Sequence, residues 1–158
     1  MDTYSRFYKD NKDRLYAYLL RMTGETQLAL DLVQESFVRY LGRYGNGGGS
    51  RALLYTIARN AALDAIGKRK MDGLDPEAHS DPGYDPEQRI MAREAFDRLL
   101  AAINVLAAAD RELIALVATA DLTYEEIGRI LNTSEAAIKV RVHRARTRLR
   151  KIMAARGE

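Results

Sequence analysis

The sequence predicts an all-α protein made of two small helical domains joined by a linker. Apolar residues recur at helical spacing in seven separate segments, and no segment alternates apolar and polar residues for long enough to form a strand. All three prolines of the 158-residue chain lie in residues 71–88, which hold six acidic and no basic side chains and show neither period. Such a segment is typical of a flexible linker, so the predicted domains are residues 1–70 and 89–158.

The N-terminal domain is predicted to contain three helices. The first ends before Gly24, the second begins at a Thr26 cap, and the third begins at a Ser50 cap after the glycine-rich stretch GNGGGS. Each helix has one apolar face, and we expect the three faces to form a common core. The residues on these faces are Tyr4, Phe7, Tyr8, Leu15, Tyr18, Leu19 and Met22; Ala29, Val33, Phe37 and Tyr40; and Leu54, Ile57, Ala58, Ala61 and Ala65.

The C-terminal domain is predicted to contain four helices. A long helix is followed by a short one that we expect Asp110 to cap, and Thr123 with Glu126 forms a capping-box signature for the third. Asn132 and Thr133 then break the chain, and Ser134 is a suitable cap for the last helix. The apolar faces comprise Phe96, Leu99, Leu100, Ile103 and Leu106; Leu113, Ile114 and Val117; Ile127 with Ile130 or Leu131; and Ile138, Val142, Ala145, Leu149 and Ile152.

The last helix has a high density of positive charge. Seven of the thirteen residues from Lys139 to Lys151 are Lys or Arg, and none is acidic. Together with the preceding helix and short turn it forms a helix-turn-helix pattern, whose second helix enters the major groove of DNA. Because the apolar stripe fixes which side faces the domain, the arginines are left on the surface, where they can reach phosphates. The pattern therefore predicts a DNA-binding protein.

Composition excludes several other classes of protein. The chain has no cysteine, which excludes disulfides and thiolate metal sites, and its two histidines offer little to a metal centre. No apolar run reaches the roughly 18 residues that a membrane span needs, and the charged N-terminal stretch lacks the apolar core of a signal peptide. We therefore expect a cytoplasmic protein that uses no metal or cofactor and does not insert into a membrane.

Three motifs resemble those of a known family. The stretch LTYEEIGRILNTSEAAIKVRVHRARTRLRK (122–151) resembles region 4 of bacterial RNA polymerase sigma factors of the extracytoplasmic-function (ECF) group, a subfamily of the sigma-70 type. Upstream, ALDLVQESFVRYL resembles region 2.2, and ALLYTIARNAALDAIGKRK resembles regions 2.3 to 2.4. The resemblance implies a three-helix region 2 that binds core RNA polymerase and opens and reads the −10 element, and a four-helix region 4 that reads the −35 element. It implies no catalysis, and it implies control by an anti-sigma factor that wedges between the domains.

The resemblance also assigns residues of region 2. Asp31, Gln34 and Glu35 correspond to the face that binds a coiled coil of the largest polymerase subunit, and they lie opposite the apolar face of their helix. The glycine-rich connection corresponds to a loop that captures an unstacked base of the non-template strand, which requires a pocket and backbone donors. The residues expected to contact the −10 element are Tyr44, Asn46, Asn60 and Asp64.

In region 4 the family's promoter-contacting positions map onto the start of the last helix. We expect Lys139 and His143 to approach base edges, and Val140 to contact a thymine methyl group. Arg144 is expected to hold a phosphate. The full set expected at the −35 element is Ser134, Glu135, Lys139, Val140, His143 and Arg144.

The chain departs from the family pattern at three places. Leu53 stands where the family usually has Trp, so one aromatic anchor is missing, and the connection before it is unusually rich in glycine. Gly128 replaces the usual Ala of the first region 4 helix. Glycine costs about 1 kcal/mol in a helix interior, but here it would let the second helix pack closely.

Three other functions are compatible with parts of the sequence. A helix-turn-helix regulator shares the C-terminal pattern, but it leaves DLVQESF and YTIARN unexplained and would bind DNA without polymerase. A sigma-like decoy that sequesters a regulatory protein could lose the basic helix, which this chain keeps. An enzyme acting on nucleic acid would need a P-loop, metal cluster, catalytic triad or paired-acid site, and none is visible in the sequence.

Overall fold

The computed structural model of the protein describes residues 2–45, 49–73 and 91–156, with side chains from residue 94 in the last range. These residues form seven α-helices and no strand, as the sequence predicts. No helix in these ranges is long and apolar enough to span a membrane. The helices are α1 (Thr3–Thr23), α2 (Thr26–Tyr44), α3 (Arg51–Met71), α4 (Met91–Val105), α5 (Ala108–Ala118), α6 (Tyr124–Ile130) and α7 (Glu135–Arg156).

Helices α1, α2 and α3 pack against one another as a bundle. Gly24 ends α1 in the left-handed conformation, φ 71°, and donates its N–H to the Leu20 carbonyl, which is a common helix stop. Ser50 caps α3 by accepting the Leu53 N–H. The predicted apolar face of α2 is fully buried, and the aromatic residues near the start of α1 are partly buried against it. The linker expected at 71–88 lies outside the described residues from position 74 onward.

Helices α4 to α7 form the second bundle, in which α7 contacts each of the other three. Its buried stripe is Ile138, Val142 and Ala145, while Leu149 and Ile152 are half-buried. The two bundles also meet, because α1 contacts α5 and α3 contacts α6. Most of their buried apolar residues form one continuous cluster.

Three expectations about local structure are wrong. Glu25, not Thr26, precedes α2 in an extended conformation, and its carboxylate pairs with Arg69 of α3 instead of capping the helix. Helix α5 begins at Ala108, so Asp110 lies in its first turn, where its carboxylate accepts a hydrogen bond from Arg148. Phe96 is 40% exposed, since burial along α4 is confined to its C-terminal half.

Candidate nucleic-acid interface

Hydrogen bonds cap the first turn of each helix in the pair α6 and α7. Thr123 accepts the Glu126 N–H and Glu126 accepts the Thr123 N–H, so the predicted capping box is present. At the other end, Ser134 accepts the Ala137 N–H at 3.0 Å. Asn132 takes the left-handed conformation, φ 56°, that a tight turn requires. The caps and the turn of the predicted helix-turn-helix are therefore made by residues close in sequence, and α7 also packs on α4 and α5.

Gly128 allows this turn to come unusually close to α6. A Cβ at this position would lie 2.7 Å from the Thr133 carbonyl oxygen, which is closer than real contacts permit. The Thr133 N–H also donates to the Gly128 carbonyl at 2.8 Å. The predicted close packing is confirmed, and the group in contact is the backbone of the turn itself.

Helix α7 presents its charge to solvent. All six residues expected at the −35 element are exposed, although the Ser134 hydroxyl also serves as the cap. Arg148 turns back to Asp110, at 2.9 Å, and Arg141 is half-buried. The remaining cations of the helix are exposed, so α7 presents positive charge to solvent, which suits a phosphate polymer. They are Lys139, Arg144, Arg146, Arg150, Lys151 and Arg156.

The exposed face of α3 contains two of the four residues expected to contact the −10 element. Asn60 and Asp64 are both exposed, and Leu53, at the place of the family's Trp, is 39% exposed on the same face at helical spacing. Tyr44 is exposed at the end of α2. Asn46, the fourth member of this set, lies outside the described residues.

The last two residues of the glycine-rich connection, Gly49 and Ser50, contact aromatic residues that the sequence pattern assigned only to the core. The Ser50 N–H donates to the Tyr40 hydroxyl at 2.7 Å. The Phe7 ring stacks on Tyr40 with centroids 5.0 Å apart, and the Tyr44 ring is tilted by 50° to Tyr40, also at 5.0 Å. Gly49 lies against the Phe7 ring. A buried tyrosine hydroxyl needs a polar partner. Tyr40, on the core face of α2, was therefore the one feature of the sequence that could have indicated this contact.

The polar face of α2 is exposed as expected. Asp31 accepts a hydrogen bond from Gln27, Gln34 donates to the Tyr8 hydroxyl, and Glu35 pairs with Arg39. Sequence reasoning did not include the apolar side chains beside them. Leu30, Val38 and Leu41 are all at least 40% exposed on this helix. The face therefore combines carboxylates with accessible apolar surface, a composition typical of protein-binding sites.

A set of ion pairs between the bundles was not predicted. Arg51 of α3 binds Glu126 with two hydrogen bonds, of 2.9 and 2.6 Å, and Arg59 binds Glu112 of α5 at 2.5 Å. The Tyr18 hydroxyl donates to the same Glu112 oxygen at 3.1 Å. These residues are far apart in sequence and lie among other charged positions, so no periodic pattern identifies them.

Two pKa shifts follow from these contacts. Burial by itself raises the pKa of the Glu126 carboxyl, but hydrogen bonds from the Thr123 backbone and from Arg51 outweigh it and hold that pKa below its ordinary value. Burial, followed by the nearby Glu112 charge, raises the pKa of the Tyr18 hydroxyl well above the usual range. Tyr18 therefore stays neutral and acts as a donor.

The described residues contain no group of three or more His, Cys, Asp or Glu side chains arranged to hold a metal ion. The carboxylates near α5 and α6 instead face arginines, as above. The arrangement supports binding of proteins and nucleic acid through charge and shape.

Comparison with known proteins places these features in one family. Residues 7–71 match the family model for Sigma-70 region 2, and residues 96–149 match that for Sigma-70, region 4. The chain is 32% identical over 155 residues to the ECF RNA polymerase sigma factor SigW of Bacillus subtilis, covering 89% of this chain and 83% of that protein. It is 30% identical to the ECF sigma factor SigE of Mycolicibacterium smegmatis, of which it spans 63%.

Solved structures show the same arrangement of helices. The sigma factor RpoE of Bartonella quintana, crystallised with the anti-sigma factor NepR, superposes with a TM-score of 0.73 at 25% identity, over 95% of this chain and 96% of RpoE. CnrH, in complex with the cytosolic domain of CnrY, superposes with a TM-score of 0.69 at 21% identity, over 96% and 88% of the two chains. The similarity to CnrH, at 21% identity, shows a shared fold.

Proposed function

The chain belongs to the ECF family of RNA polymerase sigma factors, and from this premise we propose how its own residues divide the work of promoter recognition. Residues 1–70 act as region 2, which binds core polymerase and opens and reads the −10 element. Residues 89–158 act as region 4, which reads the −35 element. Residues 71–88 join them. The chain itself makes and breaks no bond and acts in the cytoplasm, where transcription takes place.

One observation carries this proposal: a single chain presents an exposed helix-turn-helix and, on another bundle, an exposed face that mixes carboxylates with apolar side chains. The first surface suits a duplex, because α7 projects cations and its N-terminal turn has short side chains. The second suits a protein helix with basic residues. A regulator that only binds DNA has no use for the second surface, so the pair favours a subunit that connects polymerase to a promoter.

We assign the polymerase contact to Asp31, Gln34 and Glu35 on α2. Their side chains are exposed, and Leu30 and Val38 supply apolar area next to them. A partner coiled coil would pair its cations with the carboxylates and bury the apolar residues. Such a mixture gives both orientation and affinity, since charge complementarity fixes the register and apolar burial stabilises the complex.

We assign the promoter contacts to α3, α7 and the connection between α2 and α3. At the −10 element, Asn60 and Asp64 offer hydrogen bonds to exposed bases, with Tyr44 and Asn46 in the connection. At the −35 element, Lys139 and His143 lie one turn apart on the open side of α7 and point the same way. Ser134, Glu135, Val140 and Arg144 complete that contact.

We also propose that an anti-sigma factor controls this protein. RpoE of Bartonella quintana, similar over 95% of this chain, was crystallised with the anti-sigma factor NepR. An inhibitor that wedged between the bundles would have to displace the contacts of Arg51 and Arg59 with the acids of the second bundle.

Reconstitution with bacterial core polymerase on a random promoter library tests the function directly. We expect transcripts to start downstream of two conserved elements. Glu35→Lys should abolish them by weakening core binding, because it places a cation on the polymerase-binding face. Glu125→Lys is the matched control, since Glu125 likewise forms an exposed pair with an arginine four residues on, Arg129, but on α6. Equal loss in both variants, or promoter binding without core, would refute the assignment.

A further inference from the structure

The aromatic residues near the start of α1 fix how that helix lies on α2. The Tyr4, Phe7 and Tyr8 rings all pair edge-on with the buried Phe37 ring of α2, and the Tyr8 ring is the nearest, with centroids 4.7 Å apart. The Tyr4 hydroxyl donates to the Phe37 carbonyl at 3.3 Å, whereas the Tyr8 hydroxyl accepts a hydrogen bond from the Gln34 amide at 3.1 Å. Two tyrosines one turn apart on α1 therefore bind a main-chain group and a side chain of the same helix.

Gln34 is one of the three residues that we assign to the polymerase contact. Its side chain is exposed, like those of Asp31 and Glu35. Both carboxylates are held by residues of α2 itself, one turn away. The Gln34 amide is held by α1 instead, through its bond to Tyr8. One member of the polymerase-binding face thus depends on a residue outside α2.

The bond to Tyr8 decides which atom of the Gln34 amide faces outward. The amide nitrogen donates to the Tyr8 oxygen, so the carbonyl oxygen Oε1, at the other corner of the amide, is turned away from α1. An outward Oε1 is a hydrogen-bond acceptor close to the two carboxylates. With its nitrogen outward, the same side chain would present a donor, which Lys and Arg side chains cannot use because they have no acceptor.

The Tyr8 hydroxyl can orient the amide because the Tyr8 ring is itself fixed. The ring is half-buried, it lies edge-on to a core phenylalanine that is 1% exposed, and the Lys12 ammonium lies 5.9 Å from its centroid. A long exposed side chain such as glutamine loses rotamer freedom when a partner immobilises it. Tyr8 restricts Gln34 before the partner arrives, so less of this freedom is lost on binding.

We propose that Tyr8 is a positioning residue for the polymerase contact: its hydroxyl holds the Gln34 amide so that Oε1 faces the partner as an acceptor for a Lys or Arg side chain. This inference rests on the proposed function and identifies the part of α1 on which the α2 face depends. Asp31, Gln34 and Glu35 then offer three acceptors to one basic helix. Tyr8 acts through Gln34 and does not itself contact the partner.

Competition for core polymerase measures the contribution of the Tyr8 hydroxyl. Tyr8→Phe keeps the ring on Phe37 and removes only the hydroxyl. We expect this variant of the full chain to bind bacterial core about threefold to tenfold more weakly, the range typical when one more side chain must be ordered on binding. Displacement of a fluorescently labelled wild-type chain from core gives the affinity.

Tyr4→Phe is the matched control. It is the same change on the same helix, and it also removes a hydrogen bond between α1 and α2, but the lost partner is a main-chain carbonyl. Core binding by Tyr4→Phe should match that of the wild type. Equal losses in Tyr4→Phe and Tyr8→Phe would mean that the packing of α1 on α2 matters rather than the Gln34 amide, and they would overturn the proposal.

A double-mutant cycle separates positioning from direct contact. Gln34→Met keeps the length of the side chain and removes its polar atoms, so the Tyr8 hydroxyl has no amide to hold. Tyr8→Phe should therefore have no further effect in the Gln34→Met background. Gln34→Glu should recover binding lost in Gln34→Met, because one carboxylate oxygen can accept from the Tyr8 hydroxyl while the other faces the partner. The same loss from Tyr8→Phe in both backgrounds would make Tyr8 a direct contact and refute its positioning role.

The orientation of Gln34 can also be measured without polymerase. Nitrogen-15 relaxation of the Gln34 side-chain amide in the free chain reports its motion on the picosecond-to-nanosecond timescale. The order parameter of this amide should fall in Tyr8→Phe and should keep its wild-type value in Tyr4→Phe. An amide that is equally ordered with and without the Tyr8 hydroxyl would overturn the proposal even if core binding were weaker.

These measurements distinguish two kinds of failure. A wild-type chain that binds no bacterial core polymerase would refute the proposed function, and the inference with it. A wild-type chain that binds core, together with a Tyr8→Phe variant that binds equally well, would refute the positioning role and leave the proposed function standing.

Discussion

The two connections that we propose to face promoter DNA are built in opposite ways. The turn between α6 and α7 is fixed by residues within about one helix length of it: Thr123, Glu126, Gly128, Asn132 and Ser134. The connection between α2 and α3 depends on Phe7, more than forty positions away in the chain, and on the hydroxyl of a core tyrosine. One is a local structure that the rest of the domain only has to support. The other is positioned by tertiary packing.

This difference has a functional consequence. Region 4 must present α7 to a regular duplex, for which a rigid turn is sufficient. Region 2 must hold bases that have left the duplex, so the position of its connection has to be linked to the helix that carries the neighbouring contacts. Anchoring the connection on the aromatic core provides that link. Substitutions at the α6–α7 turn test whether its structure depends on nearby residues. Substitution of Glu126 tests the side chain that has both a nearby and a distant partner.

The largest effect is expected for Lys139→Ala, which tests whether the rigid turn aims α7 at bases. If Lys139 reads a base edge, binding to the preferred −35 sequence should weaken by about 1–3 kcal/mol while binding to sequences altered at that position changes little. Holoenzyme affinity for a panel of −35 variants measures this. Arg150→Ala, an exposed cation about three turns further along α7, is the control. A uniform loss across the panel would make Lys139 a phosphate contact.

Gly128→Ala tests whether the turn is as tight as its geometry indicates. Alanine gains about 1 kcal/mol of helix propensity over glycine, but its methyl group would lie 2.7 Å from the Thr133 carbonyl oxygen, and crowding of this kind costs about 1–3 kcal/mol. We expect a net loss of free energy of unfolding of about 1 kcal/mol, measured by urea denaturation. Gly42→Ala, with open space around it, should instead be stabilising. A stabilising Gly128→Ala would show that the turn can move.

The two serine caps compare the connections directly. Ser134 accepts its N–H at 3.0 Å and Ser50 at 3.3 Å, and Ser50 is also held through its own N–H by Tyr40. Ser134→Ala should lower the free energy of unfolding by about 1 kcal/mol, whereas Ser50→Ala should cost less because the Tyr40 contact remains. Chemical denaturation of the two variants gives the order. The reverse order would mean that the α2–α3 connection also depends mainly on its local cap.

What could be predicted from the sequence depends on the same difference between contacts of nearby residues and contacts of distant residues. Helix number, the Gly24 stop, the Ser50 and Ser134 caps, the capping box and the buried face of α7 all depend on residues close in sequence, and they are confirmed. The caps at Thr26 and Asp110 are wrong: α2 already includes Thr26 and α5 begins two residues before Asp110. The carboxylates of Glu25 and Asp110 pair instead with the distant Arg69 and Arg148. The aromatic anchor of the α2–α3 connection and the arginine pairs between bundles could not be predicted, because their partners meet only in the folded chain. The residues expected at the polymerase and promoter contacts remain predictions.

The smallest effect is expected at Glu126, where local and distant contacts meet in one side chain. Its carboxylate completes the capping box and also binds Arg51. Because the pKa of the Glu126 carboxyl in the folded state lies below its ordinary value, the carboxylate's contribution to stability is complete above that ordinary value and is lost as the pH falls through the lower folded-state pKa. Glu126→Gln keeps an oxygen to accept the Thr123 N–H but loses the charge that faces Arg51.

The stability difference between wild type and Glu126→Gln should therefore be present at neutral pH and should shrink as the pH is lowered below about 4.5. Urea denaturation of both proteins across this range measures it. Thr123→Ala is the control, since it removes a neutral cap and should cost the same at each pH in a Glu126→Gln background. A difference that did not change with pH would mean that neither the Arg51 pair nor the Thr123 N–H favours the charged form of Glu126 in the folded state.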